Sequence, residues 1–214
     1  PPGSVGPVGP DGAGAGSVMP SYSSWNGVKM HGNKKLLVDV LRGELGFDGF
    51  IISDWAAFSE LPGEYEDQIA LCINSGVDMI MVPDDFPKFI EVVREQVAAG
   101  KITEGRIDEA VLKILEKKFE LGLFEKPFAD RDLLDRVGSG SHRALAREAV
   151  QKSLVVLKNE NVLPLDASKL KHVLIAGSLA DNLGAQCGGW TITWQGENGD
   201  ITEGFVNYGR IIKG

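Results

Sequence analysis

Gly46-Phe47-Asp48-Gly49-Phe50-Ile51-Ile52-Ser53-Asp54-Trp55 is the stretch that decides the fold. Phe50, Ile51 and Ile52 make a continuous apolar run of strand length, and Gly46 and Gly49 punctuate its start. Such a run suits a parallel strand covered on both faces. It stops on Ser53 and Asp54, with Trp55 next. In barrel and open α/β folds, chemistry sits at the carboxyl ends of strands. A carboxylate at that place, beside a large aromatic, is a candidate site residue. Position alone leaves a second reading open, in which Asp54 caps the following helix.

The flanking segments extend the pattern in both directions. Upstream, 17–22 reads as a short strand ending on Tyr22, and 23–27 as a turn-rich loop. Residues 33–45 predict a helix, with Leu36, Leu37, Val40, Leu41 and Leu45 as its apolar stripe, Asn33 as cap and Gly46 as terminator. Downstream, 64–74 predicts a helix ended by Gly76, and 77–82 a second buried strand stopped by Pro83. A helix follows over 86–99, with Phe89, Ile90, Val93 and Val97 inward. Thr103 caps a longer one whose apolar face is Ile107, Val111, Ile114, Leu115 and Phe119. Strand and helix alternate, which is the βαβ pattern of a parallel sheet. Three strands fall short of the eight of a closed barrel.

The ends of the chain read differently. Residues 1–16 are an irregular Gly/Pro/Ala leader, with Gly3, Gly6, Gly9 and Gly12 in a run too short for a triple helix. Residues 126–141 are polar and read as a linker. Beyond it, 142–152 is helical, 153–158 and 171–177 are strand-like, and 188–196 is an aromatic, glycine-rich loop.

Composition narrows the function classes. The 214 residues carry 43% hydrophobic residues, so a sizeable core is within reach. The net charge of −8 argues against nucleic acid and against anionic membrane surfaces. No apolar run is long enough to span a membrane. Cys72 and Cys187 make neither a disulfide framework nor a metal-ligand spacing, and Cys72 falls in an apolar helical pattern that predicts burial.

Several segments together resemble glycoside hydrolase family 3, the β-glucosidases and exo-β-glucanases, and most of all its plant β-glucan exohydrolase branch. They are SVMPSYSSWNGVKMHGN at 17–33, GFDGFIISDW at 46–55, GVDMIMVP at 76–83, RIDEAVLKILEKKFELGLFEKP at 106–127, HRALAREAVQKSLVVLKN at 142–159 and LIAGSLADNLGAQCGGWTITWQG at 174–196. The resemblance implies an α/β architecture. Residues 1–125, leader included, correspond to the C-terminal part of a (β/α)8 barrel, 126–141 to the linker, and 142–214 to the start of an α/β sandwich domain. The barrel's earlier strands and the family's general acid/base find no counterpart here. An incomplete barrel predicts exposed edges and self-association.

By the same resemblance, Asp54 matches the catalytic nucleophile. A retaining glycosidase needs an ionised carboxylate that forms a covalent glycosyl-enzyme, opposite an acid that protonates the leaving oxygen. Trp55 and Trp190 match a pair of tryptophans that clamp a sugar, whose apolar C–H faces suit an indole. Tyr22 and Met19 match positions lining the glucose pocket. The plant branch carries an arginine in the loop after Ser-Asp-Trp, where this chain reads Ala56-Ala57-Phe58-Ser59-Glu60. Linkage preference therefore does not carry over. Trp25 and Trp194 are assigned to packing. His31 has no evident partner in sequence, and Glu60, Glu64, Asp84, Asp85 and Glu197 read as surface charges or caps.

The expected partner is a β-glucoside or β-glucan oligosaccharide, with no cofactor, metal, nucleic acid or membrane. The resemblance favours a secreted or periplasmic location. Two other readings stand beside it. One is an inactive carbohydrate-binding remnant without the general acid/base. The other is a nucleotide-binding α/β module, on the weak signal of a glycine at each end of 177–184 after a strand-like run.

Overall fold

A close approach of two backbones explains the glycine inside the deciding stretch. A Cβ on Gly49 would lie 2.3 Å from the carbonyl oxygen of Gly16 and 2.8 Å from the Phe47 ring, so no side chain fits. The computed structural model describes residues 14–191 and 193–201. It divides into two compact units, 1–129 and 130–214. The leader assigned to 1–16 lies outside the described residues apart from 14–16.

In the first unit β1 (Ser17–Val18) lies parallel to β4 (Phe50–Ile51), with Ser17 opposite Phe50 and Val18 opposite Ile51. Ile52 bridges Met79, also parallel. The three expected strands are thus present in parallel order, each shorter than the sequence predicts. Side chains explain the brevity on one side. Ile51 N–H donates to the Asp78 carboxylate at 2.7 Å, and Met81 N–H donates to Ser53 Oγ at 2.7 Å. A carboxylate and a hydroxyl have replaced backbone carbonyls as acceptors, so 77–82 keeps one bridge instead of a ladder. The loop expected at 23–27 is a hairpin, β2 (Ser24–Trp25) against β3 (Val28–Lys29). Asn26 and Gly27 both take positive φ, 49° and 81°, as a two-residue primed turn requires.

The helix expected over 33–45 forms at Lys35–Glu44, but wound wide. Leu45 N–H reaches five residues back to Val40 O, and Phe47 N–H bonds Leu41 O across Gly46 at φ 70°. Asn33 Oδ1 accepts from Leu36 N–H at 3.1 Å, as a cap does. Helix α1 (Tyr65–Asn74) buries Ile69, Cys72 and Ile73, and Gly76 at φ 102° ends it. Helix α2 (Phe86–Ala98) is capped by Asp85 and buries Val92 and Gln96, while Ile90 faces outward, against expectation. Helix α3 (Glu104–Glu120) starts on Thr103, whose Oγ1 accepts from Arg106 N–H. Its expected apolar face divides. Ile107 and Ile114 are half-buried, whereas Val111, Leu115 and Phe119 are exposed. The buried row instead contains Ala110 and Lys117, because Arg106 pins that side of the helix to Ile73 O, Val77 O and Asp78. Leu37, Phe47, Ile51, Phe58, Ile69 and Val77 belong to one core cluster around β4.

In the second unit, α4 (Gly140–Ser153) is capped by Ser139 and has no buried residue. The runs at 153–158 and 171–177, expected as strands, form no ladder among the described residues. Leu157 is 93% exposed and Leu174 91%. A strand buried on both faces needs neighbours on each edge and a layer above and below, and these runs have none among the described residues. The order here lies later, where Asn182 Oδ1 accepts from Ala185 N–H and Gly199 N–H and so ties α5 (Leu183–Cys187) to 196–199.

Candidate functional site

Asp54 emerges where β4 ends, and hydrogen bonds fix its backbone. Its N–H donates to His31 Nε2 at 3.0 Å, and its carbonyl accepts from Ser53 Oγ at 2.8 Å. Ser53 is fully buried and simultaneously accepts from Met81 N–H, so it locks β4 to the next parallel segment. The half-buried Asp54 carboxylate accepts from Trp55 N–H through Oδ1 at 2.7 Å. Trp55 O in turn accepts from the Tyr22 hydroxyl. Every backbone polar group of these two residues therefore has a partner, while the second carboxylate oxygen has none among the described residues. Capping of the next turn does not account for Asp54: the cap position there is Ala56, with no side-chain cap bond.

Trp55 is 64% exposed, its indole held out from the strand end rather than packed. The next residue, Ala56, takes φ 49° and bonds Met81 O through its N–H at 3.2 Å. A non-glycine in the left-handed region is uncommon and collects at functional turns. The turn aims Trp55 outward beside the carboxylate.

Tyr22 and His31 complete the cluster, their rings edge to face at 6.3 Å. Burial raises the Tyr22 pKa above its ordinary value, the Asp54 and Glu60 charges push it further, and Lys29 opposes them. The phenol therefore stays protonated and keeps donating to Trp55 O. His31 is 2% exposed. Burial lowers its pKa below the ordinary 6.5, Asp54 opposes that shift and Lys29 reinforces it. Lys29 pairs with Glu60 at 3.0 Å on the outer edge of the cluster. Met19, directly after β1, is half exposed.

Of the residues singled out from sequence, Asp54, Trp55 and Tyr22 come together by direct hydrogen bonds. Met19 makes none with them. Trp190 belongs to the second unit, where it is 82% exposed, takes φ 64° and bonds Trp194 O through its N–H at 3.0 Å. Trp194 is not packed as expected: it is exposed, its ring 6.5 Å from that of Trp190. Trp25, also assigned to packing, is half exposed on the hairpin. His31, set aside for want of a partner, is bonded to the Asp54 backbone 23 residues away. A histidine between Met30 and Gly32 carries no local signal of that contact. Among the described residues no group of three or more His, Cys, Asp or Glu side chains is placed to hold a metal ion. No described helix is long and apolar enough to cross a membrane.

Residues 12–117 match the glycosyl hydrolase family 3 N-terminal domain. The chain is 39% identical over 194 residues to the lysosomal β-glucosidase of Dictyostelium discoideum, covering 86% of this chain and 24% of that protein. It is 34% identical over 191 residues to the periplasmic β-glucosidase of Salmonella typhimurium, covering 84% and 24%. Among solved structures, the exo-1,3/1,4-β-glucanase of a Pseudoalteromonas species superposes with a TM-score of 0.75 at 47% identity, covering 86% of this chain and 23% of that one. A mutant β-glucosidase of Listeria innocua in complex with laminaribiose superposes with a TM-score of 0.63 at 34% identity, covering 72% and 22%. The chain spans about a quarter of the length of the curated relatives it matches.

Proposed function

Because residues 12–117 of this chain belong to glycosyl hydrolase family 3, with its TIM-barrel-like α/β fold, we propose that the chain carries the nucleophile half of a retaining β-glucoside hydrolase, with Asp54 as the nucleophile. The observation that supports this most is the Asp54 carboxylate. It sits at a strand's carboxyl end with its backbone fully tied and one oxygen left unbonded among the described residues. Its carboxylate oxygen attacks the anomeric carbon, the glycosidic C–O bond breaks, and a proton goes to the leaving oxygen from an acid placed about 5–5.5 Å from the nucleophile. Water then gives a proton to the same acid, now acting as base, and attacks the same carbon; the ester C–O bond breaks and the sugar and the Asp54 carboxylate are released. Trp55 offers an apolar face to the sugar beyond the bond that breaks. Tyr22 holds Trp55 in place and lines the pocket beside Met19.

The laminaribiose and glucanase relatives favour β-glucan ends or small β-glucosides as substrates. In this reading 1–125, with its leader 1–16, is the closing part of the barrel, 126–141 the linker and 142–214 the start of the next domain. Exposed apolar runs at 154–157 and 173–175 support self-association; a monodisperse monomer in light scattering rejects it.

Hydrolysis of an aryl β-glucoside tests the proposal. Asp54→Asn is expected to lower turnover by roughly a thousandfold or more, as loss of a covalent nucleophile does. Unchanged turnover in Asp54→Asn rejects the assignment. Binding of laminaribiose without turnover by the unaltered chain favours a carbohydrate-binding role instead.

A further inference from the structure

Asp54 reaches its place through a contact that the hydrolytic scheme does not use. Its backbone N–H donates to a buried imidazole, and an imidazole accepts a hydrogen bond only at an unprotonated nitrogen. Acceptance at Nε2 puts the single proton of His31 on Nδ1. The short helical turn that holds His31, Met30–Gly32, follows β3 directly and packs under α1. A Cβ on Gly32 would meet Leu61 at 2.9 Å and Leu71 at 3.6 Å, so the backbone beside His31 lies close against apolar side chains. The charged and titratable groups facing the ring are Asp54 from the end of β4, Lys29 from β3 and Tyr22 from the segment after β1, with Glu60 paired to Lys29 behind them.

We infer that His31 is a positioning residue for Asp54: its neutral imidazole anchors the Asp54 N–H and thereby fixes the direction in which the carboxylate leaves the strand, so that protonation of His31 releases the nucleophile. This rests on the proposed role of Asp54. Protonated at Nε2, the ring presents N–H to N–H and the bond is lost. Desolvation keeps that event below the ordinary histidine range, so the anchor holds through neutral pH. The folded state binds the proton less readily than the unfolded chain. The contribution of His31 is therefore present above 6.5 and is lost as pH falls through its lower, folded-state value.

The test uses 2-deoxy-2-fluoro-β-glucosyl fluoride, which labels a nucleophilic carboxylate without help from an acid. The carboxylate oxygen bonds to the anomeric carbon, the C–F bond breaks, and fluoride leaves. The labelling rate of the full chain is measured against pH in the unaltered protein, in His31→Gln and in His31→Ala. Glutamine can accept the Asp54 N–H through its amide oxygen but does not titrate. The unaltered protein is expected to lose labelling on the acid side with an inflection below 6.5. His31→Gln loses that inflection and keeps a rate within about threefold at neutral pH, whereas His31→Ala is slowed about tenfold or more, the effect of losing roughly one hydrogen bond. Identical pH profiles in the unaltered protein and His31→Gln overturn the inference while leaving Asp54 as nucleophile. No labelling of Asp54 in the unaltered protein removes the proposed function instead. The nitrogen-15 resonances of His31 then decide the anchor alone: a proton on Nδ1 that persists below pH 6.5 supports it, and a proton on Nε2 overturns it.

Discussion

Two aspartates flank the same strand and are handled in opposite ways. Asp78 is buried, its side chain 1% exposed, and its carboxylate takes Arg42 at 2.5 Å, Arg106 at 2.8 Å and the Ile51 N–H at 2.7 Å. Asp54, three residues after Ile51, takes only the N–H of its neighbour Trp55 among the described residues. The bonds of Asp78 are spent on architecture. They join the wide helix, β4 and α3 across 36 and 28 residues of chain. At Asp54 the backbone carries the architecture and one carboxylate oxygen is left unbonded among the described residues. In such a sheet the place to look for function is the carboxylate whose backbone is tied and which keeps one oxygen unbonded.

Breaking the structural aspartate is expected to have the largest effect on stability. Asp78→Ala leaves the largely buried Arg42 without its counter-charge and Arg106 with only the exposed Glu109 at 3.6 Å, which costs about 3–5 kcal/mol. Urea denaturation reads it, and Asp54→Asn in the same assay is expected to shift stability by no more than about 0.5 kcal/mol. Equal losses at the two positions would erase the contrast. Ile51→Ala, at the fully buried centre of β4, follows at about 2–4 kcal/mol. Gly49→Ala costs about 1–3 kcal/mol, because its new methyl group meets the Gly16 carbonyl and one of the two strands must shift. Trp55→Ala sharpens the other side of the contrast. Stability is expected to stay within about 0.5 kcal/mol, since the indole is exposed, while sugar affinity falls by about 0.5–1.5 kcal/mol in calorimetry. The smallest expected effect is a chemical silence. Burial pushes the Cys72 thiol up to about 12, so a thiol reagent at pH 8 labels Cys187 in the native protein and reaches Cys72 only after unfolding.

Local signals in the sequence carried much of the first unit. The apolar run 50–52 marks β4, Thr103 and Asn33 act as caps, and Gly46 and Gly76 end helices with positive φ. The Asn26-Gly27 pair is a hairpin signal in its own right, legible once the flanking Trp25 and Val28 are taken as strand residues. The ionic clamp of Arg42, Asp78 and Arg106 left no such trace, because its members are far apart in sequence and each resembles an ordinary surface charge. Arg106 also explains why α3 turns Lys117 inward and leaves Val111 and Phe119 outside, against its own apolar pattern. The runs at 153–158 and 171–177 misled for the opposite reason. Their composition is that of buried strands, yet a strand exists only with a neighbour to pair with, which composition does not encode. At the candidate site, Asp54, Trp55 and Tyr22 were legible through a family resemblance. His31 was not, since only the folded chain brings its ring to the Asp54 N–H.

The step that most needs testing is the proposed attack of Asp54 on a sugar. Its most direct test is to trap the full chain with 2-deoxy-2-fluoro-β-glucosyl fluoride, digest it and locate the added mass. One glycosyl ester is expected, on the peptide that contains Asp54, and none in Asp54→Asn. An ester on any other carboxylate would contradict it.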